Sequence, residues 1–153
     1  MRFDRFTERA QEAAQRAAEI IQRTGHNQID TEHILLALIE QPDGVVTQIL
    51  EKLNVEKEKL IERLEAAIRS SPKTNMFGGE QGQIFITPRV KRIIDLANDE
   101  ANKLKDDYIS TEHLFLAIMS EKNTPAARLL ETTGLTRDRV QEAIIQLRGG
   151  QRV

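Results

Sequence analysis

The ten residues IDTEHILLAL, Ile29 to Leu38, return almost unchanged as ISTEHLFLAI, Ile109 to Ile118, so the chain is a tandem repeat. Each copy opens on a polar triplet that starts a helix and runs into six unbroken apolar residues, Ile34 to Ile39 in the first and Leu114 to Met119 in the second. A helix that is apolar all round has no face to offer water and must be enclosed. The repeat therefore predicts two short buried helices, each the centre of its own core, with the other segments packed around them.

The two copies are offset by 80 positions and align without a gap: Thr7 falls on Thr87, Arg9 on Arg89, Ala17 on Ala97, and Leu50-Glu51 on Leu130-Glu131. In the first copy Thr7 is a helix N-cap, and Ala10, Ala13, Ala14, Ala17, Ile20 and Ile21 follow helical spacing up to a stop at Gly25 and Asn27. The alanine-rich face allows a neighbouring helix to come close. Asp30 or Thr31 caps the central helix, with Glu32 in its first turn. Pro42-Asp43-Gly44 makes a turn, and two amphipathic helices follow, one with Val45, Val46, Ile49, Leu50 and Leu53 and one with Leu60, Ile61, Leu64, Ala67 and Ile68. In the second copy Thr87-Pro88 and Thr124-Pro125 put a capping threonine directly before a first-turn proline. Helices are expected near 87–104, 110–121, 124–133 and 136–148, with Val140, Ile144 and Leu147 on the apolar side of the last. The expected fold is all-α, eight helices in two pseudo-twofold-related repeats: 1–70, a linker at 71–86, 87–148, and the start of a tether at 149–153. Met76 and Phe77 are the large apolar residues in the aperiodic part of the linker, and they either fold back onto a surface groove or lie loose.

Several classes of function are disfavoured. Lys and Arg number 22 against 24 Asp and Glu, with the signs interspersed, so there is no basic face to track a phosphate backbone. The longest apolar run is six residues, far short of the roughly 20 that span a bilayer. Cysteine is absent, which fits a reducing, cytoplasmic setting. His33 and His113 each follow a glutamate, but EHILL and EHLFL are not HExxH, so both read as histidines packed at a helix start and no metal is expected. Neither a phosphate-cradling GxxxxGK[ST] loop nor a GxSxG elbow occurs, and the chain alone is expected to be no enzyme. Glu32 and Glu112, each at the start of a buried helix, read either as first-turn carboxylates or as receivers of a guanidinium or amine from a partner.

The paired TEH motifs, the stretches KLKDDYISTEHLFLAI and GHNQIDTEHILLALIE, and the ending LRGGQRV resemble the N-terminal domain of the Clp family of AAA+ unfoldases over essentially the whole chain. The second repeat is closer to ClpB-type disaggregases, whereas FTERAQ and the first repeat also resemble ClpC-type unfoldases. The resemblance implies a domain tethered above a hexameric ATPase ring, monomeric by itself, which catches unfolded or aggregated polypeptide or an adaptor protein; ATP and magnesium belong to the ring. It implies a role for Thr7, Asp106 and Glu112, and an apolar groove on the outer face of the fifth helix at Leu96. There Glu100 and His113 stand where ClpB-type domains can carry leucine, and with Asp106 and Glu112 placed near Leu96 the resemblance implies an apolar strip with an acidic end. The ClpC side of the resemblance implies two equivalent phosphoarginine sites, with Glu32 and Glu112 as guanidinium-binding carboxylates and Thr7 and Thr87 at the adjacent helix starts; a helix N-terminus suits the phosphate.

Overall fold

The structure is a computed structural model that describes residues 4–71, 84–149 and 153; Met76 and Phe77 lie outside the described residues. Its elements are α1 (Glu8–Thr24), β1 (Gln28–Ile29), α2 (Thr31–Glu40), α3 (Val45–Lys52), α4 (Lys57–Ser70), β2 (Phe85–Ile86), α5 (Pro88–Lys103), α6 (Thr111–Ser120), α7 (Pro125–Glu131) and α8 (Arg137–Arg148). The expected helices are present, and most of the described residues are helical. Threonine does most of the starting: the Oγ1 atoms of Thr7, Thr87, Thr124 and Thr136 accept from the backbone N–H three residues on. Gly25, at φ 80°, takes the left-handed turn that ends α1.

The TEH motif has a local meaning that its acidic residue does not reveal. Asp30 and Ser110 are the N-caps of α2 and α6, and the histidine three residues later reaches back, His33 Nδ1 accepting from the Asp30 N–H at 2.9 Å and His113 Nδ1 from the Ser110 N–H at 2.8 Å. This is a capping box with imidazole in the place usually held by Glu or Gln. It explains why both helices begin at the same point of the repeat.

Both central helices are enclosed, but in one continuous core rather than two. The helix α2 packs on α1, α3 and α4 of its own repeat and also on α6 and α7, while α3 meets α6 and α8, and α4 meets α7. The reason is geometric: an all-round apolar helix has more surface than the three short helices of its own copy cover, and the equivalent helix supplies the rest. The repeats are thus interlocked.

Two short backbone contacts tie the copies together, and they are images of each other. Ile29 pairs in parallel with Ile86 in the two-residue β1–β2 ladder, and Phe6 forms a parallel bridge with Ile109. An offset of 80 carries Ile29 to Ile109 and Phe6 to Ile86, so the segment before the first helix of each copy docks beside the segment before the central helix of the other. Phe85 and Ile86, read from sequence as the end of the linker, are therefore held by pairing. Leu147 departs from its expected place: α8 buries Val140, Ala143 and Ile144, and Leu147 is exposed along with Ile145.

Candidate functional site: an apolar groove and a buried ionic cluster

The exchange of segments leaves a groove between α1 and α5. It encloses about 440 Å³ and has a lining that respects the repeat: Phe6 with Ile86, Ala13 with Ile93, Ala14 with Ile94, and Ile34 with Leu114. Ala18, Val90 and Ile29 complete the apolar surface, and Gln11 and Gln15 stand at its rim. The alanine face of α1 has two uses. Ala10, Ala13 and Ala17 are buried in the core, while the half-buried Ala14 and Ala18 face the groove, where their small side chains leave the space that larger residues would fill. An apolar cleft with neutral polar residues at its rim and no charge inside it suits an apolar segment of polypeptide better than an ion or a nucleotide.

Leu96 does not line this groove. It is half-buried, packed against the core from the far side of α5. The acidic residues expected beside it lie inside the protein. Glu100 is buried and pairs with Arg137, which also donates to Ser120 Oγ at 2.9 Å. Asp106, Glu112 and His113 do come together, but around Arg148 at the end of α8 and not around an open surface. Arg148 Nη1 donates to Asp106 Oδ2 at 2.8 Å, and its Nη2 and Nε donate to Glu112 Oε2 at 3.1 and 3.2 Å. His113 Nε2 lies 2.7 Å from the same Asp106 Oδ2. The Asp106 and His113 side chains are 0% exposed and that of Glu112 is 5% exposed.

The electrostatics follow from this packing. Burial pushes the Asp106 carboxyl up, but the Val153 N–H, Arg148 and His113 outweigh it and hold the group below the ordinary carboxylate value. His113 is held below the ordinary imidazole value by burial first, against the opposing pull of Asp106 and Glu112. A neutral imidazole with its proton on Nε2 satisfies the whole arrangement, accepting from Ser110 at Nδ1 and donating to Asp106. Asp106, Glu112 and His113 are therefore held together around Arg148 inside the fold, with both Asp106 oxygens, both His113 ring nitrogens and Glu112 Oε2 engaged by the chain's own groups.

The first repeat lacks this cluster. Glu32 is buried, with Oε1 accepting from Thr31 Oγ1 at 2.7 Å, but the place of Arg148 is taken by Ile68 and that of Asp106 by His26. The His26 and His33 rings lie 5.6 Å apart, and His33 Nε2 has no hydrogen-bond partner among the described residues. Burial first and His26 second push the His33 imidazole down to about 4, although Asp30 pulls the other way. Thr7 and Thr87 act as caps, with Thr7 N–H also donating to the Ile109 carbonyl at 3.0 Å. Of the two equivalent glutamates, Glu112 already holds a guanidinium from its own chain. Among the described residues there is no cluster of three metal-ligating side chains, and no helix is long and apolar enough to cross a membrane.

Fold and site together define a class: a two-repeat helical domain with an apolar groove between its copies. Residues 5–133 match the Clp repeat (R) N-terminal domain, and the chain belongs to that family. It is 39% identical over 150 residues to the negative regulator of genetic competence ClpC/MecB of Bacillus subtilis, covering 97% of this chain and 18% of that protein. It is 35% identical over 153 residues to the chaperone protein ClpB of Bacillus cereus, covering 100% of this chain and 18% of that protein. The chain thus spans less than a fifth of the length of these relatives. Among solved structures, the complex of the ClpV N-domain with a VipB peptide shares the fold, with a TM-score of 0.73 and 16% identity over 94% of this chain and 86% of that one.

Proposed function

We propose that this chain is the substrate-capture domain of an ATP-dependent disaggregase or unfoldase of the ClpB type. It holds unfolded or aggregated polypeptide in the groove between α1 and α5 and passes it to an AAA+ ring outside the present chain. The observation that carries this reading is the groove itself: an apolar lining to which both repeats contribute, open to solvent, with no charged residue among its lining residues. Binding there rests on removal of apolar surface from water, which favours many sequences and commits to none, as a capture domain requires. That the ClpV N-domain has been solved with a peptide supports polypeptide as the ligand class for this fold. In this reading ATP and magnesium act only in the ring, the ring is a hexamer, and the protein works in the cytoplasm.

A second reading, docking of an adaptor or of phosphoarginine as in a ClpC-type unfoldase, draws on the identity to ClpC/MecB and on Glu32, which faces no internal arginine equivalent to Arg148. Chemical-shift mapping of the labelled protein with β-casein, a phosphoarginine peptide and free arginine separates the two. Casein shifts centred on Ala14, Ile34, Ile86 and Ile94 support capture. Shifts confined to Thr7 and Glu32, with the phosphoarginine peptide alone, replace it with docking.

A further inference from the structure

The two backbone contacts that tie the copies together are images of each other on their inner side but not on their outer side. In the β1–β2 ladder the N–H groups of Phe85 and Thr87 point towards β1, donating to the carbonyls of Asn27 at 2.9 Å and Ile29 at 3.1 Å. Backbone polar groups alternate between the two edges of a strand, so Ile86, which lies between them, turns its N–H and C=O away from β1. Phe6 is turned outwards in the same way, because the Thr7 N–H donates to the Ile109 carbonyl at 3.0 Å and the Ile109 N–H to the Arg5 carbonyl at 2.7 Å. There the outer carbonyl is closed off, accepting from Gln11 Nε2 at 3.1 Å. The image of Gln11 at the repeat offset is Lys91, an exposed residue whose side chain makes no hydrogen bond among the described residues, and the outward N–H and C=O of Ile86 stay open. The Ile86 side chain lines the groove, while that of Phe85 is exposed.

We propose that substrate polypeptide adds to β2 as a third, antiparallel strand at Ile86, an inference that rests on the groove being the capture site. A donor and an acceptor on one extended residue beside an apolar cleft match a second extended backbone. They match neither an ion nor a helix, whose own N–H and C=O groups bond one another along its axis. In the antiparallel pair the Ile86 N–H and C=O bond the C=O and N–H of a single substrate residue, and the two side chains fall on the same face, that of the groove. Every second substrate side chain points there, and those between point to the solvent side with Phe85. The ligand class is therefore an extended segment with apolar residues at alternate positions and no proline opposite Ile86. Main-chain groups supply the pairing whatever the sequence, so the groove gains a directional grip without a sequence code.

Three short peptides of alternating leucine and serine test this on the native chain: one unmodified, one N-methylated at the leucines and one N-methylated at the serines. With leucine side chains in the groove, the leucine N–H groups face Ile86 and the serine N–H groups face away. We expect the unmodified and serine-methylated peptides to slow exchange of the Ile86 amide about tenfold or more, and the leucine-methylated peptide to lose that protection and bind about tenfold more weakly. Side-chain methyl shifts at Ile34, Ile94 and Leu114 report independently whether the groove is filled. Equal affinity of the two methylated peptides, or the reverse order, overturns the strand but leaves the groove as the capture site if those shifts persist. Absence of the shifts with every peptide overturns the capture reading and the strand with it. Protection of the Ile86 amide that grows with protein concentration when no peptide is present assigns the edge to a second copy of this chain and also overturns the proposal.

Discussion

Replacing Arg148 by methionine removes the one cation of the ionic cluster while keeping much of its aliphatic stem. In the native protein the Arg148 side chain is 13% exposed and its guanidinium serves two carboxylates, Asp106 at 2.8 Å and Glu112 at 3.1 Å. Without it, two negative charges remain in a space where water has little access, and His113 alone is left to support Asp106 Oδ2. Breaking a buried ion pair from one side costs about 3–5 kcal/mol, a large part of the roughly 5–15 kcal/mol that holds a domain of this kind folded. The pH dependence gives the argument its sign. In the native state Asp106 sits below its ordinary value, so its contribution is present above the unfolded carboxylate value and is lost as pH falls through the folded one. In Arg148→Met the first of the causes acting on Asp106, burial, dominates, so the carboxyl rises and takes a proton readily in mild acid. The deficit of the variant should therefore be largest near neutral pH and shrink towards pH 4. Urea melts followed by circular dichroism at both pH values measure it. A deficit under about 1 kcal/mol at neutral pH, or one that does not shrink in acid, would refute the claim that these groups are buried as ions.

Two further outcomes follow from the core and from the first repeat. Leu36→Ala and Leu116→Ala, each truncating a fully buried side chain of a central helix, should each cost about 2–5 kcal/mol in the same melts. Because both helices lie in one core, combining the two should be measurably non-additive. His33, with its folded value near 4 against an ordinary 6.5, contributes stability that is complete above pH 6.5 and disappears as pH falls towards 4. The shift corresponds to about 3 kcal/mol, so His33→Asn should flatten the stability profile between those pH values.

The helices and their starts were legible in the sequence because they depend on local chemistry: threonine caps, first-turn prolines and an apolar run repeated at a fixed offset. The single shared core was not legible, since the offset shows that two helices are alike and not that they touch. The role of the histidines was half legible. Their place at the helix start could be read, but the capping box was hidden because imidazole stands where Glu or Gln is usual. The site residues show the limit most clearly. Asp106 and Glu112 look like an exposed acidic end until Arg148, 36 residues beyond Glu112, is seen to reach them from α8. The groove was invisible in the same way, because its walls come from segments that lie 80 positions apart in the chain. One signal was present: Phe6 and Ile86 stand at the repeat offset, each immediately before a capping threonine, with no helix of their own to serve.

The central claim is that polypeptide binds in the groove between the repeats, and the affinity of Ala14→Glu for β-casein tests it most directly. Ala14 is half-buried on the groove wall of α1, so a glutamate there occupies the cleft and charges it without entering the core. Leu96→Ser is the matched control on the far side of α5. The account predicts that Ala14→Glu weakens binding about tenfold or more, with a thermal midpoint within about 2 °C of the native protein, while Leu96→Ser binds casein normally. Native affinity in Ala14→Glu, or loss of binding in Leu96→Ser with its fold intact, would contradict it.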